Sequence, residues 1–397
     1  MRSERIEYLI AGAGIVGMAL ALRLIERNPG SRIVVIDKES EVAKHASGRN
    51  SGVLHSGIYY VAESLKAKFT MAGNRALREF CAQRGIRVNQ CGKLIVATNA
   101  AELEKLFELE KRGKANGATV ELLSASDAER IDPNVRTYQH ALWSPLTATV
   151  SPSEVALAFK AELEKRGVAV QLNERFLAYR EGEVLTSLRS YRVDRFINAA
   201  GLGADRIARE CGFGKEYTII PFKGIYLKYD KNETDIRTNI YPVPDLKKPF
   251  LEVHFTKTVD GHIKIGPTAI PALWRENYRG LSGFNLLEML GILSWEAKLF
   301  LWNSFGFRDL AFTELRKYDR RFLIRSAAKL VKHLDPQGFG EFTTPGIRAQ
   351  LLNRSSNLLV QDFVVQADRH SVHILNAVSP GFTCSLPFAE YVIDKYL

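Results

Sequence analysis

The sequence predicts an α/β fold, in which a βαβ unit opens the chain and an antiparallel, α+β portion follows its midpoint. Three observations predict it. Residues 8–37 run strand, glycine-rich turn, helix, stop signal and strand, and close on an acid. Residues 192–201 form a further strand that ends in the small run Ala199-Ala200-Gly201. Between residues 218 and 267, short β-rich runs alternate with turns, as in an antiparallel sheet.

The opening unit has a physical reason at each step. Tyr8-Leu9-Ile10-Ala11 is an apolar strand, and Gly12-Ala13-Gly14-Ile15-Val16-Gly17 follows it directly. Gly12 permits the tight turn, Gly14 lets a pyrophosphate approach the backbone, and Gly17 lets the helix lie close on the sheet. The helix start, including Ile15 and Val16, presents unpaired N–H groups and a positive dipole end to phosphate. Asn28-Pro29-Gly30 stops the helix, and Ile33-Val34-Val35-Ile36 leads to Asp37, twenty residues after Gly17. An acid there accepts from a ribose 2′-hydroxyl and disfavours a 2′-phosphate, with Lys38 beside it. The unit is therefore read as Rossmann-type and dinucleotide-binding.

The chain has 397 residues, enough for two domains, with 46% hydrophobic and 25% charged residues. Its net charge of +11 favours anionic ligands or an anionic surface. The basic residues are dispersed rather than gathered in a tail, so nucleic acid is not expected as a partner. Cys81, Cys91, Cys211 and Cys384 form no C-x-x-C pair, which argues against a metal knuckle or redox dithiol and for reduced thiols in the cytoplasm. No metal is expected. The first strand begins almost at once after Met1-Arg2-Ser3, so no secretory leader is expected, and no apolar run is long enough to span a bilayer.

After Asp37 a long loop replaces the next helix of a nicotinamide-type domain. It reads His45-Ala46-Ser47-Gly48-Arg49-Asn50-Ser51-Gly52-Val53-Leu54-His55-Ser56-Gly57-Ile58-Tyr59-Tyr60. Its amides and hydroxyls suit a second phosphate contact and the polar edge of a ring. With the glycine motif and Asp37, this loop resembles the FAD-dependent D-amino-acid-oxidase superfamily, and within it the L-2-hydroxyglutarate dehydrogenase/oxidase family. Further segments carry the resemblance: Pro221-Phe222-Lys223-Gly224, Tyr241-Pro242-Val243-Pro244, Val253-His254-Phe255-Thr256, Gly266-Pro267-Thr268-Ala269, Thr343 to Gln350, and Ser379 to Ser385. The chain departs from the family at Lys223, where Arg is usual, at Glu252, where Gly is usual, and at Gly381 and Phe382, where Ala is usual.

The resemblance implies a Rossmann-type FAD-binding domain, D-amino-acid-oxidase-like, with an α+β antiparallel-sheet substrate domain. The expected boundaries are 1–84, 146–215 and 341–397 for the first, and 85–145 and 216–340 for the second. FAD is expected at Gly12, Gly14, Ile15, Val16, Gly17, Asp37, Lys38, Arg49, Asn50, Ser51, Gly52, His55, Ala200, Gly201, Gly381, Phe382 and Thr383. The last helix is expected to start near Gly381 or Phe382, its positive end towards the flavin. The chain carries no second complete glycine fingerprint, so electrons are not expected from a nicotinamide.

Oxidation of a hydroxy acid needs a base for the hydroxyl proton, and histidine suits neutral pH. His55 and His254 lie in the matched motifs and are the expected bases. Lys223, Arg348 and Arg275 are expected partners for the carboxylates of a diacid, and Tyr59, Tyr241 and Thr256 are candidate hydroxyl donors. A lysine at 223 keeps the charge but loses the two-pronged grip of arginine. The expected reaction is oxidation of L-2-hydroxyglutarate to 2-oxoglutarate, with electrons passed to a quinone or other acceptor. The alternatives are a flavin oxidase acting on amines or amino acids with oxygen, or a non-catalytic flavoprotein or tRNA-associated module. Residues 286–301 and 316–332 read first as core helices followed by a solvated basic helix. The sharper reading is a face resting on anionic lipid, which places the protein peripherally at the inner face of a membrane.

Overall fold

The structure is a computed structural model, and it describes residues 4–230, 235–246 and 249–397. Met1, Arg2 and Ser3, at which the expectation of no leader begins, lie outside the described residues. The chain forms two compact units. One comprises residues 1–50, 152–221 and 348–397, and the other 51–151 and 222–347.

The first unit is built on a mixed sheet. Its parallel part runs Ala169–Gln171, Ile33–Ile36, Glu4–Ala11, Ser190–Asn198. The last of these is shared along one edge. Its beginning pairs antiparallel with Glu183–Thr186, and its end pairs parallel with Ser371–Asn376. The strand Ile33–Ile36 is buried throughout, which is why its sequence is a continuous β-branched run rather than an alternating one. The opening helix, Ile15–Arg27, is buried along most of its length. It packs against Pro152–Lys165 and the last helix, Ser385–Tyr396. Ion pairs tie its outer side to that last helix, Arg23 to Glu390 at 3.0 Å and Arg27 to Asp394 at 2.6 Å.

The second unit carries, among the described residues, an eight-stranded sheet. Its order is Phe339–Phe342, Leu227–Tyr229, Ile263–Gly266, His254–Lys257, Asn239–Pro242, Lys93–Val96, His140–Ser144, Glu121–Ser124. All neighbours are antiparallel except Asn239–Pro242 with Lys93–Val96, which run parallel. One face is apolar: Leu94, Val96, Ile240, Phe255, Ile263 and Ile265 lie in a core that also takes Leu323, Ile324 and Ala327 from the helix Arg320–Ala328.

Three expectations differ from what is observed. Residues 51–84, 146–151 and 341–347, expected with the cofactor domain, fall in the second unit, and 216–221, expected with the substrate domain, fall in the first. Asn74, on the helix Leu65–Gln83, explains the placement of 51–84: its amide donates to the carbonyls of Leu54, His55 and Leu146, all in the second unit. The last helix starts at Ser385, after a turn containing Gly381, Phe382 and Thr383. The helix Leu286–Leu301 is not a core helix, since only Ile292 and Leu299 along it are buried. Among the described residues, no helix is long and apolar enough to cross a membrane.

Candidate active site

The first unit supplies a nucleotide cradle. Gly12 has φ +115°, and a Cβ there would sit 2.5 Å from the Ala199 carbonyl oxygen. A Cβ on Gly17 would lie 2.0 Å from the Gly12 carbonyl oxygen. Both glycines are therefore required by backbone packing before any ligand is considered. The small run at 199–201 serves the same contact, for the Ala199 N–H donates to the Ala11 carbonyl at 2.9 Å. Ala200 and Gly201 continue into a short 3₁₀ turn, with the Ala200 N–H on Asn198 Oδ1.

At the helix start, Gly14 caps without a side-chain hydrogen bond. The Ile15 N–H is taken by Ser47 Oγ at 2.9 Å, and Val16 is the next residue of the helix. Asp37 follows its strand directly. One of its oxygens accepts the Ala13 N–H at 2.7 Å and the other accepts the Glu39 N–H at 3.0 Å. Each oxygen keeps lone-pair capacity for a ribose hydroxyl, and the two bonds hold the carboxylate in place. Lys38 pairs with Glu39, which also meets His45 Nε2 at 3.0 Å. Arg49 Nε donates to the Lys44 carbonyl at 2.8 Å, and Asn50 Nδ2 to the Ser47 carbonyl at 2.7 Å, so both brace the loop. The buried turn at Gly381 packs tightly, with a hypothetical Cβ 2.1 Å from the Ala377 carbonyl oxygen. A helix start with glycine at its cap, a held acid and glycines with no room for side chains fit the adenosine diphosphate half of FAD.

The second unit supplies a buried polar face. Strand register builds it. Lys93 lies opposite Asn239, so it shares a face with Tyr241 two residues on. Ile240 pairs with Phe255, which sets Tyr241 across from His254. Thr256 lies opposite Lys264. Lys93, Tyr241, His254, Thr256 and Lys264 therefore line the face turned away from the apolar core. All but Lys264 are almost fully buried. The rings of Tyr241 and His254 stack at 3.7 Å and 20°. Tyr59 joins them: Lys93 Nζ lies 4.6 Å from its ring centre and 5.2 Å from that of Tyr241. The buried Tyr59 hydroxyl has no hydrogen-bond partner among the described residues.

Electrostatics follow from burial. His254 Nδ1 sits 2.8 Å from the Glu252 carbonyl, which can only accept, so Nδ1 carries the proton and Nε2 the lone pair. Burial, with the nearby lysines 93, 317 and 264 adding to it, pushes this imidazole down to about 3. It is therefore neutral at physiological pH, with the lone pair on Nε2, and burial disfavours its protonation. Burial likewise pushes Lys93 down to about 7 and Lys264 down to about 8, and it raises the Tyr59 and Tyr241 hydroxyls.

The other expected residues divide between the units. Ser51 accepts the Lys264 ammonium on its carbonyl at 3.2 Å, and Gly52, at φ +75°, accepts the Val150 N–H. His55 is half-buried in the second unit, its carbonyl held by Asn74. Lys223 Nζ donates to Asn277 Oδ1 at 3.0 Å. Arg275 is paired with Glu288, so its charge is already balanced within the fold. Arg348 is half-buried on the strand Gly346–Asn353 and falls in the first unit. Sequence reading passed over Ser47, Lys264 and Lys93. For Lys93 a signal was present, a charged residue heading a continuous apolar run, Leu94-Ile95-Val96-Ala97.

The comparisons agree with this geometry. The profile of the FAD dependent oxidoreductase family (DAO) matches residues 7–395. An L-2-hydroxyglutarate dehydrogenase from Escherichia coli is 34% identical over 404 residues, covering 98% of this chain and 92% of its own. The mitochondrial L-2-hydroxyglutarate dehydrogenase of Homo sapiens is 35% identical over 417 residues, covering 98% and 88%. Among solved structures, an L-α-glycerophosphate oxidase from Mycoplasma pneumoniae with FAD bound superposes with a TM-score of 0.77 at 21% identity, over 98% of this chain and 94% of its own. A glycine oxidase from Geobacillus kaustophilus gives 0.72 at 16%, over 99% and 94%. With a family match across almost its whole length and a cradle that fits the cofactor, the chain belongs to the FAD-dependent oxidoreductases of the D-amino-acid-oxidase type.

Proposed function

We propose that this chain oxidises L-2-hydroxyglutarate to 2-oxoglutarate and passes the electrons to a quinone or other acceptor in preference to oxygen. The observation that carries the substrate is the identity of about a third, over nearly the full length of both chains, with relatives named L-2-hydroxyglutarate dehydrogenases. The buried basic and aromatic face of the second unit supports it, because a dianion needs cations and a hydroxyl needs a base.

FAD, when bound, supplies the hydride acceptor. Gly12, Gly14, Gly17 and Asp37 hold its adenosine diphosphate half, with Ile15, Val16, Lys38, Arg49, Asn50, Ser51, Gly52, His55, Ala200, Gly201, Gly381, Phe382 and Thr383 as the remaining proposed contacts. His254 takes the substrate hydroxyl proton at Nε2. Its tautomer is fixed by the Glu252 carbonyl, and its ring is held by Tyr241. Desolvation disfavours the resulting imidazolium, and the negative charge of a bound dianion offsets that cost. His55 is the second candidate base. Lys223 and Arg348 hold carboxylates, and Tyr59 and Tyr241 donate hydroxyl hydrogens.

The acceptor reading rests on the helix Leu286–Leu301 and its neighbour Phe307–Arg316. Leu287, Leu301, Trp302 and Phe312 project into solvent with exposures of 82, 65, 67 and 59%. Arg308 and Arg316 lie in the same stretch. Exposed apolar side chains beside cations suit the surface of an anionic bilayer, where quinones reside. The test is anaerobic. L-2-Hydroxyglutarate bleaches the flavin of the purified holoenzyme, and amines and amino acids do not. Bleaching by an amine alone, or by nothing, overturns the substrate. Peroxide release as fast as reduction of a soluble quinone overturns the acceptor.

A further inference from the structure

Several buried cations of the second unit have a resident counter-group. Lys317 bonds to Glu314 at 2.5 Å, and Arg275 faces Glu288 at 3.6 Å. Lys264 donates to the Ser51 carbonyl. Lys93 differs. It is 1% exposed, and its ammonium meets only the ring faces of Tyr59 and Tyr241 among the described residues. Ring faces attract a cation but accept none of its three hydrogen bonds in ordinary geometry. An ammonium buried without an acceptor is costly, and a fold that needed only volume there would be better served by methionine. The tyrosine hydroxyls on either side are donors, one of them unpartnered, and the imidazole stacked on Tyr241 presents a lone pair. Cation, hydroxyl donor and base on one buried sheet face are the groups that a 2-hydroxy acid would engage at its carboxylate and its hydroxyl.

We propose that Lys93 is a specificity-determining residue whose ammonium binds a carboxylate of the anionic substrate beside Tyr59, Tyr241 and His254. The inference rests on the substrate reading above. In the apo fold the lysine is a destabilising element that bound anion relieves, so Lys93→Met removes the function and the cost together.

The experiment measures two properties of FAD-loaded Lys93→Met against the unaltered holoenzyme. The first is the dissociation constant of glutarate, an unreactive diacid, by calorimetry, with uncharged glutaramide as the control. Glutarate is expected to weaken roughly ten- to a hundredfold, the loss of one charge-assisted contact, and glutaramide to change little. The second is the melting temperature without ligand, expected to rise in the variant. In turnover the Michaelis constant for L-2-hydroxyglutarate rises by the same factor, and the turnover number changes less. Unchanged glutarate affinity overturns the inference, as does a lowered melting temperature with the same affinity loss for both ligands. Lys93→Gln gives the same readings if the methionine variant does not retain FAD, and collapse of both variants makes Lys93 structural and overturns the inference. Failure of L-2-hydroxyglutarate to bleach the unaltered holoenzyme is a separate result. It removes the substrate reading, and this inference falls with it.

Discussion

Asp37 holds the Ala13 and Glu39 amides through its two oxygens, so the acid proposed to face the ribose also fixes the turn beneath it. Asp37→Ala is expected to weaken FAD retention and loosen the glycine turn. Equilibrium dialysis of released flavin, with melting temperature alongside, measures both. His254→Asn is expected to slow flavin reduction roughly 10²- to 10⁴-fold with FAD still bound, as stopped flow would show. The same variant has a stability signature. The His254 imidazole is held at about 3 in the fold against 6.5 in the unfolded chain, so between those values the unfolded state binds one more proton. Stability contributed by the neutral ring is therefore full above about 6.5 and falls as the pH drops towards 3, by up to about 1.4 kcal/mol per pH unit. Denaturant melts across that window are expected to show a shallower acid slope for His254→Asn than for the unaltered protein. Asp37 and His254 could be singled out in sequence because each sits at a fixed place in a motif, and the roles given to them above are proposals. Lys93 shows only as a charge heading an apolar run, because its place beside Tyr241 comes from lying opposite Asn239, and pairing between strands so far apart is not written locally.

At the scale of elements, the glycine turn, the opening helix and its flanking strands were legible because their pattern is local: an apolar strand, glycines, an apolar helix and a stop. The last helix was misplaced by a few residues, since the turn at 381–384 is itself helical in its backbone and its start is set by packing rather than by a capping side chain. The helix Leu286–Leu301 was first read as core because its composition is apolar, and composition alone does not tell which side is covered. Its exposed residues carry a prediction. Leu287→Glu combined with Leu301→Glu is expected to reduce sedimentation with phosphatidylglycerol-containing vesicles, since each inserted leucine contributes about 1.5–3 kcal/mol. Flavin reduction by L-2-hydroxyglutarate is expected to stay unchanged. On the same helix, burial pushes Glu296 up to about 8, so near neutral pH this side chain carries little charge.

For the whole molecule, the two-part organisation was legible from the switch between helix-rich and strand-rich stretches, but the boundary at 51–84 was not. That segment continues the nucleotide loop in sequence, and its allegiance is decided by Asn74 and its three carbonyl partners. Arg348 and Lys223 stand in different units. Arg348→Ala and Lys223→Ala are each expected to raise the Michaelis constant for the diacid roughly ten- to a hundredfold. Comparison with L-lactate, which has one carboxylate, sorts which end each grips. The interleaved chain also bears on biosynthesis. In the cofactor-binding unit, Asn198 meets His373 at 3.2 Å across 175 residues of sequence, beside a strand pair that joins the same two regions. While the ribosome is still making the intervening residues, the end of the strand Ser190–Asn198 lacks this partner, so the sheet is complete only once Ser371–Asn376 has emerged. Until then the Phe196–Asn198 edge is open to pairing with another strand, which makes the emergence of Ser371–Asn376 the step that completes this sheet.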